Sequence, residues 1–216
     1  MSRSRPDSAD DVIRAMRSLE QSYLLGVEDV TEIWLVRHAD VYDGLEVVDD
    51  PPLSPLGREQ ARRLAERVGR LPVAAVYASP ARRAQETARA LSEEIRLEPG
   101  LGEALASFSG GKISLDESRN GIIERMRAAV DAAAKAHPGQ RVIMVGHGIA
   151  ILNCLADVLR LEPGSLRLYP PFTGVSILRV KDGRRVAGTL FDVAHLEGPA
   201  PPAPSPTRGG GGNGSR

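Results

Sequence analysis

The chain of 216 residues has a single cysteine, Cys154. It therefore forms no internal disulfide and carries no cysteine-rich zinc module. Its 28 basic and 28 acidic residues cancel, which argues against a general binder of nucleic acid. No apolar run approaches the roughly 18 residues that a membrane-spanning helix needs, and no apolar signal core follows the charged N-terminus. These absences favour a cytoplasmic protein with neither a nucleic-acid nor a membrane partner.

The two ends of the chain differ in composition from its middle. Residues 197–216 are rich in proline, glycine and serine, so they cannot offset the entropy of ordering and are predicted to form a disordered tail. Residues 1–8 are expected to be flexible as well. Apolar side chains three and four positions apart predict an N-terminal helix over 9–28, which would pack on the domain or dock a partner chain. The domain itself would span 29–196.

Within this domain, apolar strands alternate with amphipathic helices. Strands are predicted over 31–37, 73–79, 141–146, 174–180 and 185–193, and helices over 54–70, 80–95, 119–137 and 147–161. The alternation predicts an α/β fold, a three-layer α/β/α sandwich around a mostly parallel sheet. In such sheets, ligands bind beyond the carboxyl ends of the strands.

Basic side chains follow three of the predicted strand ends. Arg37 and His38 follow the first, a pair of arginines follows the second, and His147 follows the third between two glycines. A helix that starts at His147 would present free N–H groups to the same crevice. This combination indicates an anion site, above all for phosphate. A metal site is disfavoured, because zinc wants three or four His, Cys, Asp or Glu ligands and arginines repel a cation.

Three motifs in these places resemble those of the histidine phosphatase superfamily, also called phosphoglycerate-mutase-like. LVRHAD (35–40) is similar to the family's opening Arg-His-Gly. SPARRAQETA (79–88) is similar to its Ser-Pro-x-x-Arg-Ala-x-x-Thr-Ala run, and VIMVGHG (142–148) to its late Gly-His-Gly. The resemblance implies the phosphoglycerate-mutase-like fold and a phosphatase activity.

Two weaker likenesses extend the match toward both ends. PLSPLGREQA (52–61) resembles the family's Leu-Ser/Thr-x-x-Gly helix start, and AHL (194–196) its C-terminal ending. The motifs stand in the family's order across residues 31–196.

The resemblance implies a role for each motif residue. His38 would be the nucleophile that takes the phosphoryl group as phosphohistidine. Arg37 and Arg83 would hold the phosphate oxygens, joined by Gly148. His147 would stabilise charge on the transferring group. The arginines should also disfavour the charged form of His38 and keep it nucleophilic near neutral pH.

The neighbouring arginines of the second motif are not equivalent. The family's arginine aligns with Arg83, and Arg82 lies about 100° away around the helix. Only one of the two can point squarely at the site, so Arg82 is expected at the surface.

Proton transfer requires a further group, since the leaving alcohol needs a proton and the later water must lose one. In the family, a Glu or Asp after the second helix does this. Glu103 occupies the corresponding place, with Asp40 and Asp116 as alternatives.

The chain departs from the family pattern in three places. Ala39 replaces the motif glycine and would be mildly strained if the position needs a positive φ. Gly44 stands where many members carry an asparagine that touches phosphate. The insertion between Glu103 and the helix at 119 is only about 15 residues long, against the longer lids of the mutases. A short lid leaves a phosphoenzyme open to water, which favours hydrolysis over phosphoryl return.

The sequence therefore predicts a metal-independent phosphomonoesterase that needs no cofactor. Its expected partner is a small phosphorylated substrate: a sugar phosphate, a phosphoglycerate or the phosphate of a cofactor precursor. The alternatives are mutase-type phosphoryl transfer and a catalytically weak binding module of the same fold. A homodimer is left open.

Overall fold

A six-stranded sheet forms the centre of the fold, with strand order β3-β2-β6-β1-β7-β8. The computed structural model describes residues 8–42, 50–162 and 165–197, and of residues 106–109, 112 and 113 it describes the backbone alone. The strands are β1 (Thr31–Arg37), β2 (Ala75–Ala78), β3 (Arg96–Leu97), β4 (Ala106–Ser109), β5 (Lys112–Leu115), β6 (Arg141–Gly146), β7 (Val175–Lys181) and β8 (Arg184–Asp192). The α-helices are α1 (Ala9–Ser22), α2 (Pro55–Val68), α3 (Arg82–Leu91), α4 (Arg119–Ala136) and α5 (Gly148–Val158).

The main sheet is parallel except at one strand. β6 pairs in parallel with both β1 and β2, and β2 pairs in parallel with β3. β7 runs antiparallel to β1, and β8 antiparallel to β7. Five of the six strands of this sheet therefore point the same way, which confirms the predicted mostly parallel sheet.

Alternate residues of β1 enter separate cores on the two faces of the sheet. Ile33 and Leu35 pack with residues of α4 and α5, whereas Trp34 and Val36 pack with residues of α2 and α3. Successive side chains of a strand point to opposite faces, so a strand covered on both sides must be apolar throughout. The α/β/α sandwich is confirmed.

The insertion between Glu103 and α4, for which no secondary structure was predicted, contains a β-hairpin. β4 and β5 pair antiparallel, joined through Gly110 and Gly111 at φ values of 58° and 76°. Two positive φ angles in a two-residue turn are what a type I′ hairpin requires. The Gly-Gly pair was the sequence signal for this turn.

The N-terminal helix ends at Ser22 rather than near residue 28. Leu24 adopts a left-handed φ of 55°, and the N–H of Leu25 donates to the Glu20 carbonyl, which closes the helix in a Schellman motif. None of the residues of α1 is buried. Its apolar side chains, from Val12 to Leu19, are 40% to 61% exposed, in contrast to the expected packing on the domain.

Some predictions fall on residues outside the described ranges. They are the flexible N-terminus up to residue 7, the tail from residue 198 onward, and Gly44. Among the helices that the structure does describe, none combines the length and apolarity needed to cross a membrane.

Candidate active site

Two strand ends bring the predicted histidines together at one edge of the sheet. Arg37, the last residue of β1, is in parallel register with Gly146, the last residue of β6. The His38 N–H continues this ladder by donating to the Gly146 carbonyl at 2.9 Å. The ring centroids of His38 and His147 are consequently 5.1 Å apart, with 61° between the ring planes.

His38 is nearly buried, and its two ring nitrogens have different partners. Nδ1 lies 2.8 Å from the Ala39 carbonyl oxygen, so Nδ1 carries the proton and donates. Nε2 accepts a hydrogen bond from Nε of Arg83 at 3.3 Å. Burial, assisted by the charges of Arg83 and Arg37, lowers the pKa of His38 to about 3. At neutral pH the ring is therefore uncharged, with its lone pair on Nε2, which is the state a nucleophile requires.

His147 is fully buried just before α5, and Ser79 fixes its ring. The Ser79 hydroxyl oxygen accepts the Ala81 N–H at 3.3 Å and lies 2.8 Å from Nε2 of His147. When the hydroxyl donates its own proton to Nε2, the ring proton lies on Nδ1. Burial, then His38 and Arg83, lower the pKa of His147 to about 2. Within the described part of the chain Nδ1 has no partner, and in that tautomer it is a buried neutral donor that suits an anion.

The two adjacent arginines at the start of α3 point in different directions. Nη1 of Arg83 lies 3.2 Å from a carboxylate oxygen of Asp50, and the Arg83 side chain is only 15% exposed. Arg82 is 58% exposed and pairs with Glu86 at 2.7 Å. The structure thus brings Arg83 to His38 and leaves Arg82 at the surface.

Arg37 is held against a loop that precedes β7. Its Nη1 donates to the Pro170 carbonyl at 2.5 Å, and its Cζ lies 4.0 Å from the ring centroid of Phe172 and 5.3 Å from that of Tyr169. The Phe172 ring is also 5.6 Å from the His38 ring. Arg37 Nε is buried without a hydrogen-bond partner among the described residues, which leaves one guanidinium donor for a phosphate oxygen.

Glu103 binds the beginning of α5. Its carboxylate accepts the N–H groups of Ala150 at 3.2 Å and Ile149 at 3.4 Å, together with that of Ala104 at 3.1 Å. Burial nevertheless raises the pKa of Glu103 above its ordinary value. Glu103 therefore occupies two of the N–H groups that the helix start was expected to present to phosphate, and the predicted contact between phosphate and Gly148 stays a prediction.

Gly148 is the first residue of α5, so the helix begins one residue later than predicted. A Cβ built at Gly148 would lie 3.4 Å from Arg37 Nε and 3.6 Å from its Cδ. The lack of a side chain allows the arginine to lie across the helix start.

The alternative acids have other partners. The Asp40 carboxylate accepts the hydroxyl of Ser54, which caps α2, and Asp116 accepts the Leu105 N–H at 2.7 Å. Of the three candidates, Glu103 is the one bonded to the helix that follows His147.

Ala39 is buried and does not adopt a positive φ, so the strain considered for this position is absent. Its N–H donates to the Thr87 hydroxyl at 3.0 Å. Across residues 8–42, 50–162 and 165–197, no three His, Cys, Asp or Glu side chains are grouped to hold a metal ion.

A family model of the histidine phosphatase superfamily (branch 1) matches residues 33–114 and 110–193, nearly the whole domain. The chain belongs to the histidine phosphatase superfamily. This confirms the resemblance read from the motifs, and with it the assignment of the chain as a phosphatase.

Three similar proteins illustrate the range of this superfamily. A metal-independent phosphoserine phosphatase of Arabidopsis thaliana is 28% identical over an alignment that covers 85% of this chain and 91% of the relative. A probable phosphoglycerate mutase of Cronobacter sakazakii is 27% identical over an alignment that covers 78% of this chain and 96% of that relative. The structure of a phosphoserine phosphatase from Entamoeba histolytica superposes with a TM-score of 0.65 at 20% identity, covering 77% of this chain and all of that one.

Sequence reasoning missed three residues at this histidine phosphatase site. Ser79, which bonds His147, is the first residue of the motif SPARRAQETA, in which only the arginine was predicted to bind phosphate. Phe172 and Tyr169 lie 130 residues and more beyond His38, in a stretch that carried no motif. The predicted terminal hairpin was the sequence signal that could have indicated Phe172 and Tyr169. Because β7 runs antiparallel to β1, the residues before β7 must lie beside the end of β1.

Proposed function

We propose that this histidine phosphatase is a metal-independent phosphomonoesterase that acts through a phosphohistidine at His38. The observation that carries the proposal is the state of the His38 ring. Its proton is held on Nδ1 by the Ala39 carbonyl, and its Nε2 lone pair lies beside Arg83. A nucleophile with a fixed tautomer and a neighbouring cation suits attack on a phosphate ester.

In the first step, His38 Nε2 forms a bond to phosphorus while the bond from phosphorus to the ester oxygen breaks. The electron pair of that bond goes to the leaving oxygen, which takes a proton from Glu103. Arg37, Arg83 and the Nδ1–H of His147 would stabilise the equatorial oxygens, where charge is spread in the transition state. The raised pKa of Glu103 favours the protonated form that this step requires.

In the second step, water attacks the phosphohistidine and releases inorganic phosphate. Glu103, now a carboxylate, takes a proton from the attacking water. The bond from phosphorus to Nε2 breaks, and its electron pair restores the neutral ring. The Ala39 carbonyl holds the Nδ1 proton throughout, so His38 returns to the tautomer in which it began.

The proposed substrates are small phosphorylated metabolites such as a sugar phosphate, a phosphoglycerate or the phosphate of a cofactor precursor. The superfamily relatives support this class, since the Entamoeba histolytica enzyme has been solved with phosphoserine and with 3-phosphoglyceric acid. Hydrolysis is proposed over mutase-type transfer because the segment after Glu103 returns through one short hairpin, β4–β5. Such a segment leaves the phosphoenzyme accessible to water.

The test combines activity with detection of the intermediate. Phosphate release from p-nitrophenyl phosphate is measured with and without EDTA for the wild type and for His38→Ala. Acid-labile phosphate on the protein is followed by mass spectrometry after rapid quenching. We expect activity that survives EDTA, an increase of one phosphoryl mass on the peptide containing His38, and loss of both in the variant.

A matched control is His137→Gln. His137 is also a buried histidine, but its backbone carbonyl accepts the Thr31 hydroxyl at the opposite end of β1. This variant should retain activity. Activity that persists in His38→Ala would overturn the nucleophile assignment. Transfer of phosphate between positions of a phosphoglycerate, without release, would favour the mutase alternative. Tight phosphate binding without turnover of any ester would favour the binding module.

A further inference from the structure

The C-terminal end of the described chain is tied to the sheet edge that carries the site. Residues Ala194–Leu196 form a 3-10 helix that packs against α2. Arg63 donates to the Leu196 carbonyl at 3.1 Å, and Arg67 pairs with Asp192 at 2.6 Å. Two arginines of α2 therefore fix this short helix from both ends.

The side chain of His195 reaches from this helix to Thr173. Its Nε2 lies 2.9 Å from the Thr173 hydroxyl oxygen. That hydroxyl donates its own proton to the Phe172 carbonyl at 2.8 Å, so His195 must be the donor in the contact. Burial, and then Arg67, lower the pKa of His195 to about 4, so the neutral ring carries its proton on Nε2.

Thr173 has an unusual backbone for a β-branched residue. It is fully buried and adopts a left-handed φ of 54°. Such a conformation costs on the order of 1–3 kcal/mol and persists only when the surroundings determine it. Its N–H donates to the Arg37 carbonyl at 3.0 Å, and the Gly174 carbonyl accepts the Arg37 N–H at 3.3 Å. The strained residue thus lies directly against the strand end that carries the nucleophile.

The residue before Thr173 connects this backbone to the reacting groups. The ring of Phe172 lies 4.0 Å from the Arg37 guanidinium carbon and 5.6 Å from the His38 ring. The Phe172 carbonyl is the acceptor of the Thr173 hydroxyl. A change in the backbone at Thr173 would therefore move the surface on which Arg37 rests.

We propose that His195 is a positioning residue of the active site, which acts by holding Thr173 in its strained conformation so that Phe172 directs Arg37 and His38. The inference rests on the proposed function, because that function assigns Arg37 and His38 to phosphate. His195 makes no contact with substrate in this scheme and transfers no proton. Its action is to donate one hydrogen bond to the Thr173 hydroxyl.

The test compares His195→Ala with His195→Gln, whose amide N–H can still donate to the Thr173 hydroxyl. The dissociation constant for inorganic phosphate is measured by calorimetric titration, along with kcat and KM for p-nitrophenyl phosphate and the melting temperature. We expect His195→Ala to weaken phosphate binding about tenfold and to lower kcat. The glutamine variant should recover most of both losses. Binding is titrated well below the melting temperature of each variant, where nearly all molecules are folded, so a loss of global stability alone would leave the dissociation constant unchanged.

His137→Gln is the matched control, since this histidine bonds Tyr77 and Arg96 away from the strand end. It should lower the melting temperature without changing phosphate affinity. Thr173→Val supplies an independent measurement if His195→Ala does not fold. It removes the acceptor, so it should reproduce the loss of affinity.

The outcomes separate this inference from the proposed function. If the wild type binds phosphate but His195→Ala and Thr173→Val bind it within about twofold as tightly, the positioning role is overturned and the proposed function stands. If the wild type neither binds phosphate nor hydrolyses any ester, both are overturned.

Discussion

Nε of Arg83 lies 3.3 Å from Nε2 of His38 and donates to it. The same guanidinium contacts Asp50 through Nη1 at 3.2 Å. The arginine is therefore held by a carboxylate on one side, and on the other it covers the Nε2 lone pair that attacks phosphorus in the proposed mechanism. In that mechanism an incoming phosphate would take over the Nε donor, and the exchange would expose Nε2 when the ester is bound.

Replacing Arg83 should therefore affect catalysis far more than replacing its neighbour. Arg83→Ala is expected to reduce kcat/KM by about 100-fold to 1,000-fold, because one donor to the transferring group is lost. Arg82→Ala should stay within about twofold of the wild type, since that side chain pairs with Glu86 at the surface. Steady-state kinetics on p-nitrophenyl phosphate measure both. Equal losses in the two variants would show that helix α3 was damaged as a whole.

Glu103→Gln should separate the two chemical steps. The nitrophenolate leaving group needs little protonation, so formation of the phosphoenzyme should remain fast with p-nitrophenyl phosphate. Its hydrolysis should slow by about 100-fold or more, because the base that accepts the proton of water is gone. Stopped-flow absorbance would then show one equivalent of nitrophenolate released in a burst, followed by a slow steady state. Unchanged turnover would return the role to Asp40 or Asp116.

The rate should decline at alkaline pH, but it should show no decline at acid pH from protonation of His38. His38 has its pKa lowered to about 3, so it is neutral above that value and its protonation costs no activity between about pH 5 and about pH 8. Glu103 has a raised pKa, and its protonated fraction falls as the pH rises through that pKa. The rate on an alkyl phosphate, which needs the acid, should decline on the alkaline side, and this decline should be absent in Glu103→Gln. A rate that halves near pH 6.5 on the acid side and is restored above it would contradict the neutral state of His38.

The stability of the domain should be sensitive to a side chain at Gly57. A Cβ there would overlap the Asp40 carbonyl oxygen and lie 2.9 Å from its carbon. Relieving this overlap requires the backbone to move, so Gly57→Ala should lower the free energy of unfolding by about 3 kcal/mol. Gly121→Ala is the control. Like Gly57, it donates its N–H to a serine N-cap, but its Cβ would meet side-chain atoms of Glu117 and Ser118. Urea unfolding should find Gly121→Ala neutral or stabilised by up to about 1 kcal/mol.

Tyr169 should influence which ester is preferred. It is 75% exposed, and its ring lies 5.3 Å from the guanidinium carbon of Arg37. An aromatic leaving group bound next to Arg37 would contact this ring. Tyr169→Ala is expected to lower kcat/KM for p-nitrophenyl phosphate by about 3-fold to 10-fold relative to an alkyl phosphate. Tyr169→Phe keeps the ring and should retain the preference. A uniform loss on both esters would indicate an effect on Arg37 alone.

The sheet and its helices were predictable because each strand is covered on both faces and therefore apolar throughout. β1 and β6 have their predicted bounds, 31–37 and 141–146. The ends of the helices and strands were harder to predict. α1 stops at Ser22 because Leu24 adopts a left-handed φ, which no local signal for leucine indicates. The hairpin of β4 and β5 was missed, although its Gly-Gly turn was visible in the sequence.

The site residues that follow directly after a strand within a motif were predictable. Those contributed by segments distant in the sequence were less so. His38 and His147 meet because parallel register requires it, and the structure places Glu103 against the first turn of α5, the helix that follows His147. What the N–H groups of that helix bind could not be read from the sequence, because Glu103 occupies them through a contact between distant segments. Phe172 was not predicted for the same reason, because it reaches Arg37 and His38 from a distant segment of the chain.

The antiparallel position of β7 also has a consequence for biosynthesis. β1 has β6 on one side and β7 on the other, and Arg37 is separated by 133 residues from Pro170, whose carbonyl holds it. While a ribosome is still translating the segment before β7, the nascent chain already contains both histidines but presents β1 with an open, apolar edge. Unpaired apolar strand edges promote association between chains. Catalytic competence and protection from aggregation are therefore acquired together, when the last two strands emerge.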